Sequence, residues 1–237
     1  MRIKIFVFLV FASLLMSCAT PPPPVKVGKE LGAGAISVSL YAPLALGGGK
    51  SPSIVYFLKV NDPSKLLEST EVVASNYSAN DRQYLFNAKP GKYVAVAAFY
   101  SVQAMGPSSS SSSSVGKSGT VTVSVTPGPT DYITFFSEEV AKSTLIDVEV
   151  NKITFAGNLS VDMSLKLENA DALQKHISNL IKPGALESSV GMSMLKGSYN
   201  YVGSLKSISN DDNAKKAFKE AASQKELKES GWLEDLK

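Results

Sequence analysis

Three segments alternate apolar and polar residues with a period of two, and this pattern constrains the fold more than any other feature of the chain. They are residues 36–41 (ISVSLY), 120–125 (TVTVSV) and 159–166 (LSVDMSLK). A period of two turns one face of a strand to a core and the other to water. Turn sequences rich in Gly, Pro and Asn separate such segments, which favours an antiparallel β-sandwich or barrel. We therefore predict a β-sandwich domain over residues 31–167.

Two further segments are apolar on both faces and predict central strands: residues 53–60 (SIVYFLKV) and 92–101 (KYVAVAAFYS). The second follows Pro90 and Gly91, and residues 82–101 together resemble the PG-x-Y hairpin of transthyretin-like β-sandwich modules in bacterial envelope proteins. The resemblance implies a hairpin within a sandwich. It implies no activity.

Seven consecutive serines, residues 108–114, lie between two of the predicted strands. Serine is polar and small, so this run cannot bury apolar area. We expect a mobile hairpin loop here.

The pattern becomes helical after residue 167, so the fold class is mainly β with α (α+β), with a helical C-terminal region over residues 168–237. Asn169 is a candidate N-cap for a first helix that ends at Pro183. A weaker helix is expected over 186–195. The clearest helix begins near Asp211 and ends at Gly231, and it is followed by a small apolar cluster. Its apolar stripe consists of Ala214, Ala217, Phe218 and Ala221.

The N-terminus has the layout of an export signal. Arg2 and Lys4 precede an apolar run over residues 5–16. This run is shorter than the roughly 20 residues that a helix needs to cross a bilayer. It is followed by the only cysteine of the chain, Cys18, and then by four prolines.

The residues Leu15-Met16-Ser17-Cys18 resemble the lipobox of bacterial lipoproteins. The arrangement of a β-rich part, the sequence FAGN (residues 155–158) and a helical tail that ends in a tryptophan resembles uncharacterised spirochaete-type envelope lipoproteins. The lipobox resemblance implies that residues 1–17 are removed. It also implies that the thiol of Cys18 carries diacylglycerol and that its amine carries a fatty acyl chain such as palmitate. Two or three acyl chains give stable attachment where one gives only marginal binding. Residues 18–30 would then form a proline-rich tether to the membrane, with the outer membrane favoured. The alternative is an ordinary secretory peptide with a chance cysteine.

Charge and composition disfavour nucleic acid as a partner. The formal net charge is +3, and removal of Arg2 and Lys4 with the signal segment leaves +1. A nearly neutral chain without a long run of Lys and Arg offers no electrostatic footprint for a polyanion.

Few residues of the sequence suggest catalysis or metal binding. Cys18 is the only thiol and His176 the only histidine, so neither a disulfide nor a typical N/S zinc site can form. The adjacent acids Glu138/Glu139 and Asp211/Asp212 are expected at solvated positions. We predict no enzyme activity, no cofactor and no metal. The sequence leaves one alternative undecided, a calcium site assembled from separate loops.

Three functional hypotheses follow. The first is a lipid-anchored envelope lipoprotein with a non-catalytic structural or interaction role. The second is a ligand-binding module for a host protein, a glycan or a small molecule, with the serine run and the region of Tyr199 and Tyr201 as candidate contacts. An exposed pair of tyrosines could stack on sugars or contact a partner; the alternative for these two residues is simple packing in the core. The third is a hydrolase whose site is assembled from dispersed residues.

Overall fold

The computed structural model describes residues 26–27, 30–43, 48–103, 109–114, 120–125, 128–187, 197–228 and 230–236. Within 109–125 the description is limited to the backbone. The signal segment, Cys18 and most of the weaker helix expected over 186–195 lie outside these residues.

Twelve strands are present in the described part of the chain, and ten of them form one curled sheet. In chain order they are β1 (Gly32–Tyr41), β2 (Ile54–Val60), β3 (Val72–Ala74), β4 (Tyr77–Ala79), β5 (Arg82–Ala88), β6 (Gly91–Val102), β7 (Ser109–Ser114), β8 (Thr120–Val125), β9 (Thr130–Phe136), β10 (Ile146–Val148), β11 (Ile153–Ser164) and β12 (Ser198–Ser209).

The fold is mainly β with some α, as expected. The predicted antiparallel sandwich is not what the structure shows, because the sheet is mixed and curls into a half-barrel. The strand order is β3-β2-β6-β9-β12-β11-β1-β5-β4, and β10 pairs with β6 outside this path. β1 pairs with β11 in parallel, and β12 pairs with β9 in parallel. Strand alternation determines which face of a strand is buried but not which strand it pairs with, so the sequence pattern could not reveal these parallel pairs.

The two edges of the curled sheet are joined by a single stretch of chain, because the edge strands β3 and β4 follow one another. Between them Ser75 bonds to β2: its N–H donates to Val55 O at 2.7 Å, and its hydroxyl accepts from Val55 N–H at 2.9 Å. Asn76 bonds to β5 through Phe86, whose N–H donates to Asn76 Oδ1 at 2.9 Å. Short edge strands joined in this way leave little unpaired backbone, which protects the sheet from edge-to-edge association.

Three α-helices lie in the described ranges: α1 (Glu138–Ser143), α2 (Ala172–Ile181) and α3 (Asp212–Ala221). A π-helical turn (Ala222–Glu226) continues α3, and short 3-10 turns occur at Leu66–Glu68, Leu167–Asn169 and Leu233–Leu236. Within these ranges no helix combines the length and the apolar character needed to cross a membrane.

The core has one enclosed and two outer parts. The enclosed part lies inside the curl and combines side chains from both halves of the sheet, such as Ile36 and Phe57. Outside, α2 covers β2, β6 and β9 through Leu173 and Ile177. The C-terminal segment covers β1, β5 and β11 on the other side, with Phe218 stacked on Phe155 at 4.4 Å.

Strand directions define two ends of the half-barrel. β1 and β6 begin at the end that we call the tether end, because the described N-terminal residues lie there. β1, β6 and β11 finish at the opposite end, where β9 and β12 begin; we call it the tyrosine end. At the tether end β10 lies across the curl, so close that a Cβ on Gly34 would lie 2.6 Å from Ile146 Cδ1.

The N-terminal tether meets the C-terminal segment at the tether end. Val27 N–H donates to Asn87 Oδ1 at 2.9 Å. The ammonium of Lys26 lies over the ring of Trp232, 5.2 Å from the ring centroid. Trp232 is fully buried and stacks on Phe86 at 5.4 Å.

Several local expectations are wrong. The strands β5 and β6 do not form the hairpin expected over residues 82–101, because they lie in opposite halves of the sheet and pair with other strands. The C-terminal region 168–237 is not wholly helical: β12 is a central strand between β9 and β11, so the division after residue 167 is not a boundary in the sheet. Most of the serine run is paired as β7 with β8 and is not a loop.

The predicted helix starts and faces are also corrected in part. The N-cap of α2 is Asp171, not Asn169, since Asp171 accepts from Gln174 N–H while Gln174 Oε1 accepts from Asp171 N–H. This reciprocal pair leaves two fewer helix-end donors unsatisfied. In α3, Ala214 and Phe218 are buried as expected, but Ala217 is exposed.

Candidate functional site

Four tyrosines cluster inside the curl at the tyrosine end. The cross-strand register places Tyr132 of β9 opposite Tyr100 of β6 on one side and opposite Tyr199 of β12 on the other. The Tyr132 ring stacks on Tyr100 at 4.7 Å with an interplanar angle of 3°, and on Tyr199 at 5.4 Å and 12°. Tyr201, two residues further along β12, completes this tyrosine cluster at 6.4 Å from Tyr132.

Burial differs within the cluster. Tyr201 is only 8% exposed, so Tyr199 and Tyr201 do not form an exposed pair, and the packing alternative holds for Tyr201. Tyr100 is 9% exposed, while Tyr132 and Tyr199 are half-buried. The structure thus places both predicted residues together but adds Tyr100 and Tyr132 as their stacking partners.

The hydroxyl groups of the cluster are available for hydrogen bonding. Within the described residues none of the four phenols has a hydrogen-bond partner. Burial, followed by the neighbouring Tyr201 and Tyr132, raises the pKa of Tyr100 to about 12. Burial also raises the pKa of Tyr201. Both phenols are therefore neutral near pH 7 and can donate as well as accept.

An open cavity of about 370 Å³ adjoins the cluster at Tyr100. It lies between the chain that leads into β2, the turn between β4 and β5, and the end of β6. Its lining residues are Lys50, Ser51, Pro52, Ser53, Ser78, Asp81, Tyr100, Ser101 and Val102. The lining combines several hydroxyls with one ammonium, one carboxylate and one aromatic ring.

A buried glutamine fixes one wall of this cavity. Gln83 is fully buried, and its Nε2 donates to Pro52 O at 2.8 Å and to Ser51 Oγ at 3.2 Å. Its Oε1 has no partner among the described residues, and neither has the buried Oγ1 of Thr134, which lies opposite Tyr201 in the register. Both unpaired groups belong to the enclosed side of the sheet near the tyrosine end.

A second polar cluster lies outside the sheet and attaches the C-terminal segment. The carboxylate of Glu226, on the π-helical turn, accepts from Arg82, from the hydroxyl of Tyr84, and from Asn80 Nδ2 at 3.3 Å. Burial, then the hydrogen bond to Glu226, raises the pKa of Tyr84. Because every oxygen faces a protein donor and the side chain is buried, we assign this cluster to the packing of the C-terminus.

The other polar residues singled out in the sequence have structural roles here. His176 Nε2 contacts Ser69 O at 2.8 Å, a contact in which the ring nitrogen donates. Glu138 forms an ion pair with Lys142 at 2.6 Å, and Asp211 caps α3 by accepting from Ala214 N–H at 2.8 Å. Among the residues that the structure describes, no group of three or more His, Cys, Asp or Glu side chains could hold a metal ion.

Comparisons with known proteins identify no family. No family model matches the chain, and no curated protein matches it. Among solved structures, a "putative carbohydrate binding protein" from Pseudomonas aeruginosa is 14% identical and aligns over 57% of this chain and 92% of its own, with a TM-score of 0.22. A TM-score this low does not indicate a shared fold. Carbohydrate binding is a description of the Pseudomonas protein alone.

The sequence patterns did not indicate a functional role for Tyr100 and Tyr132, nor for the cavity charges Lys50 and Asp81. Tyr132 lies in the short strand β9 (TDYITFF), which no strong alternation marks. Tyr100 lies in a predicted strand, but nothing in the sequence indicates that its ring stacks on Tyr132, which is distant along the chain. The signal that was present is positional: both tyrosines lie at strand ends next to Ser-, Gly- and Pro-rich chain, where binding residues concentrate.

Proposed function

We propose that this protein is a lipid-anchored, non-catalytic binding protein of the bacterial cell envelope that binds a glycan at its tyrosine end. The observation that carries the proposal is the tyrosine cluster: four rings fixed by three neighbouring strands, with hydroxyls that bond to no described residue. A core made only for stability has little use for such hydroxyls, because apolar rings would pack equally well.

A saccharide fits the chemistry of this end. Its ring carries apolar C–H faces and several hydroxyls, and tyrosine offers an apolar body with a polar tip. The neighbouring cavity of about 370 Å³ lies within the range of small-ligand sites. Since the cluster sits on paired strands, its rings are held in place before binding, which lowers the entropy lost on association.

The position of the tether supports a role away from the membrane. Lys26 and Val27 lie at the tether end, whereas the cluster lies at the tyrosine end. At about 3.3 Å per residue, a strand of 12 residues such as β11 separates the two ends by about 40 Å. With Cys18 in the membrane, the cluster would face away from the lipid.

A glycan-array screen with the full-length lipidated protein in detergent tests the proposal. The double variant Tyr132→Phe/Tyr199→Phe keeps the rings and removes two hydroxyls, and Tyr41→Phe on the outer face is the matched control. We expect the double variant to bind the selected glycan about tenfold more weakly, at about 0.5–1.5 kcal/mol per hydrogen bond. The control should bind like the wild type. Binding to no glycan, or equal binding by all three proteins, would refute the proposal.

A further inference from the structure

We propose that the cavity beside Tyr100 is a charged subsite that takes a zwitterionic group, with an ammonium near Asp81 and a carboxylate near Lys50. This inference rests on the proposed function, since it treats the tyrosine end as a binding site. It narrows the ligand from glycans in general to those that carry both charges on one sugar residue.

Lys50 contributes a positive charge to the lining of the cavity. Its backbone pairs with Leu40 of β1 through two hydrogen bonds of 2.8 Å. Its ammonium lies over the Tyr100 ring, 5.9 Å from the centroid. The side chain is exposed and forms no ion pair with any described residue. The cation is thus directed to the wall of the cavity without being neutralised there.

Asp81 is the corresponding negative charge on the other side. It occupies the two-residue turn between β4 and β5, in which Asn80 and Asp81 have φ angles of 46° and 63°. Positive φ at both positions is the geometry of a tight hairpin turn, which Asn and Asp tolerate well. Ser37 Oγ donates to Asp81 O at 3.2 Å and helps to hold the turn. Within the described chain Asp81 also forms no ion pair.

Two opposite charges that line one cavity, and do not pair with each other, select against singly charged ligands. A lone anion gains from Lys50 but is repelled by Asp81, and a lone cation meets the reverse. A neutral sugar can form hydrogen bonds to both groups but gains no attraction between charges. A zwitterion satisfies both at once, and the serine hydroxyls of the lining can bond to the rest of the sugar.

Muramic acid is a suitable probe because it carries an amine and a lactyl carboxylate on adjacent carbons. Its comparison compounds are N-acetylmuramic acid, which lacks the ammonium, and glucosamine, which lacks the carboxylate. Calorimetry on the full-length lipidated protein in detergent should show that muramic acid binds at least about fivefold more tightly than either, since exposed charge pairs contribute modestly. Lys50→Met and Asp81→Asn should each abolish that preference.

Lys206→Met and Asp162→Asn are the matched controls, because these residues form an exposed ion pair on the outer face at 3.1 Å. Circular dichroism confirms that each variant is folded, and Lys50→Gln replaces Lys50→Met if that variant is not. Equal affinity for muramic acid and its two analogues, no binding of muramic acid, or a preference that survives both cavity variants would overturn the inference.

The same titration distinguishes this inference from the proposed function. If the preference depends on Lys50 and Asp81 but Tyr132→Phe/Tyr199→Phe binds like the wild type, the cavity subsite stands and the tyrosine cluster is not the glycan site. If neutral glycans bind through the tyrosines and muramic acid shows no preference, the proposed function stands and the zwitterionic subsite is wrong.

Discussion

Glu226→Gln should be the most informative destabilising change outside the proposed site. The wild-type carboxylate is 0% exposed and pairs with Arg82, whose side chain is 17% exposed. Removing one partner of a buried ion pair costs about 3–5 kcal/mol, because the other charge stays buried. Arg82 can reach water in part, and glutamine still accepts from Tyr84. We therefore expect a loss near the lower limit, about 3 kcal/mol.

Urea unfolding of the full-length chain measures this loss. Trp232 is the only tryptophan and is buried in the same C-terminal segment, so its fluorescence reports the detachment that we expect. The matched control is Asp162→Asn, which breaks an ion pair whose side chains are 46% and 52% exposed and should cost at most about 1 kcal/mol.

A double-mutant cycle tests the physical reason. Once Glu226 is neutral, Arg82→Met should cost little more, so that the two changes are less than additive by about 2 kcal/mol. If Glu226→Gln costs no more than Asp162→Asn, or if the two changes add, the buried pair does not hold the C-terminal segment in place and the reasoning is wrong.

Three further predictions follow from the anchor, the cluster and the C-terminal packing. Cys18→Ala should take up no label from an alkyne fatty acid in cells, whereas the wild type should be labelled; a labelled variant would remove the anchor hypothesis. The fold raises the pKa of Tyr100 from 10.0 to about 12 and so favours the neutral phenol. The contribution of this group to the free energy of unfolding should therefore be fully present below about pH 10 and be lost as the pH rises towards about 12. Tyr100→Phe should make that fall shallower in urea titrations, and an unchanged slope would contradict the argument. Trp232→Ala should cost about 3–5 kcal/mol in urea unfolding followed by circular dichroism, since the side chain is fully buried; a loss below about 1 kcal/mol would show that its stacking on Phe86 contributes little.

The sequence predicted strands where alternation is local and regular. β1 and β11 include the alternating segments 36–41 and 159–164. Their pairing was not predictable, because alternation assigns a face to each residue and says nothing about a partner distant in sequence. The antiparallel sandwich was an extrapolation from turn-rich spacing, and the parallel pair of β1 and β11 shows where it failed.

β12 was missed for a specific reason. Its alternation begins with Tyr199 and Tyr201 and is then interrupted by Gly203, where an aromatic or aliphatic residue would have continued the pattern. A Cβ at Gly203 would lie 2.7 Å from Val161 Cγ1 and 2.9 Å from Thr134 Cγ2, so close approach of the neighbouring strands requires glycine. The packing that makes β12 a central strand thus removed the signal that would have identified it.

The most direct test of the central claim is a titration of the full-length protein, labelled with ¹³C in its tyrosine rings, with the glycan selected on the array. The chain has nine tyrosines, which gives internal controls in the same spectrum. The proposal predicts that the ring signals of Tyr100, Tyr132, Tyr199 and Tyr201 shift on binding while those of Tyr41, Tyr56, Tyr77, Tyr84 and Tyr93 do not. Saturable binding that moves only the second group, and leaves the tyrosine cluster unchanged, would contradict it.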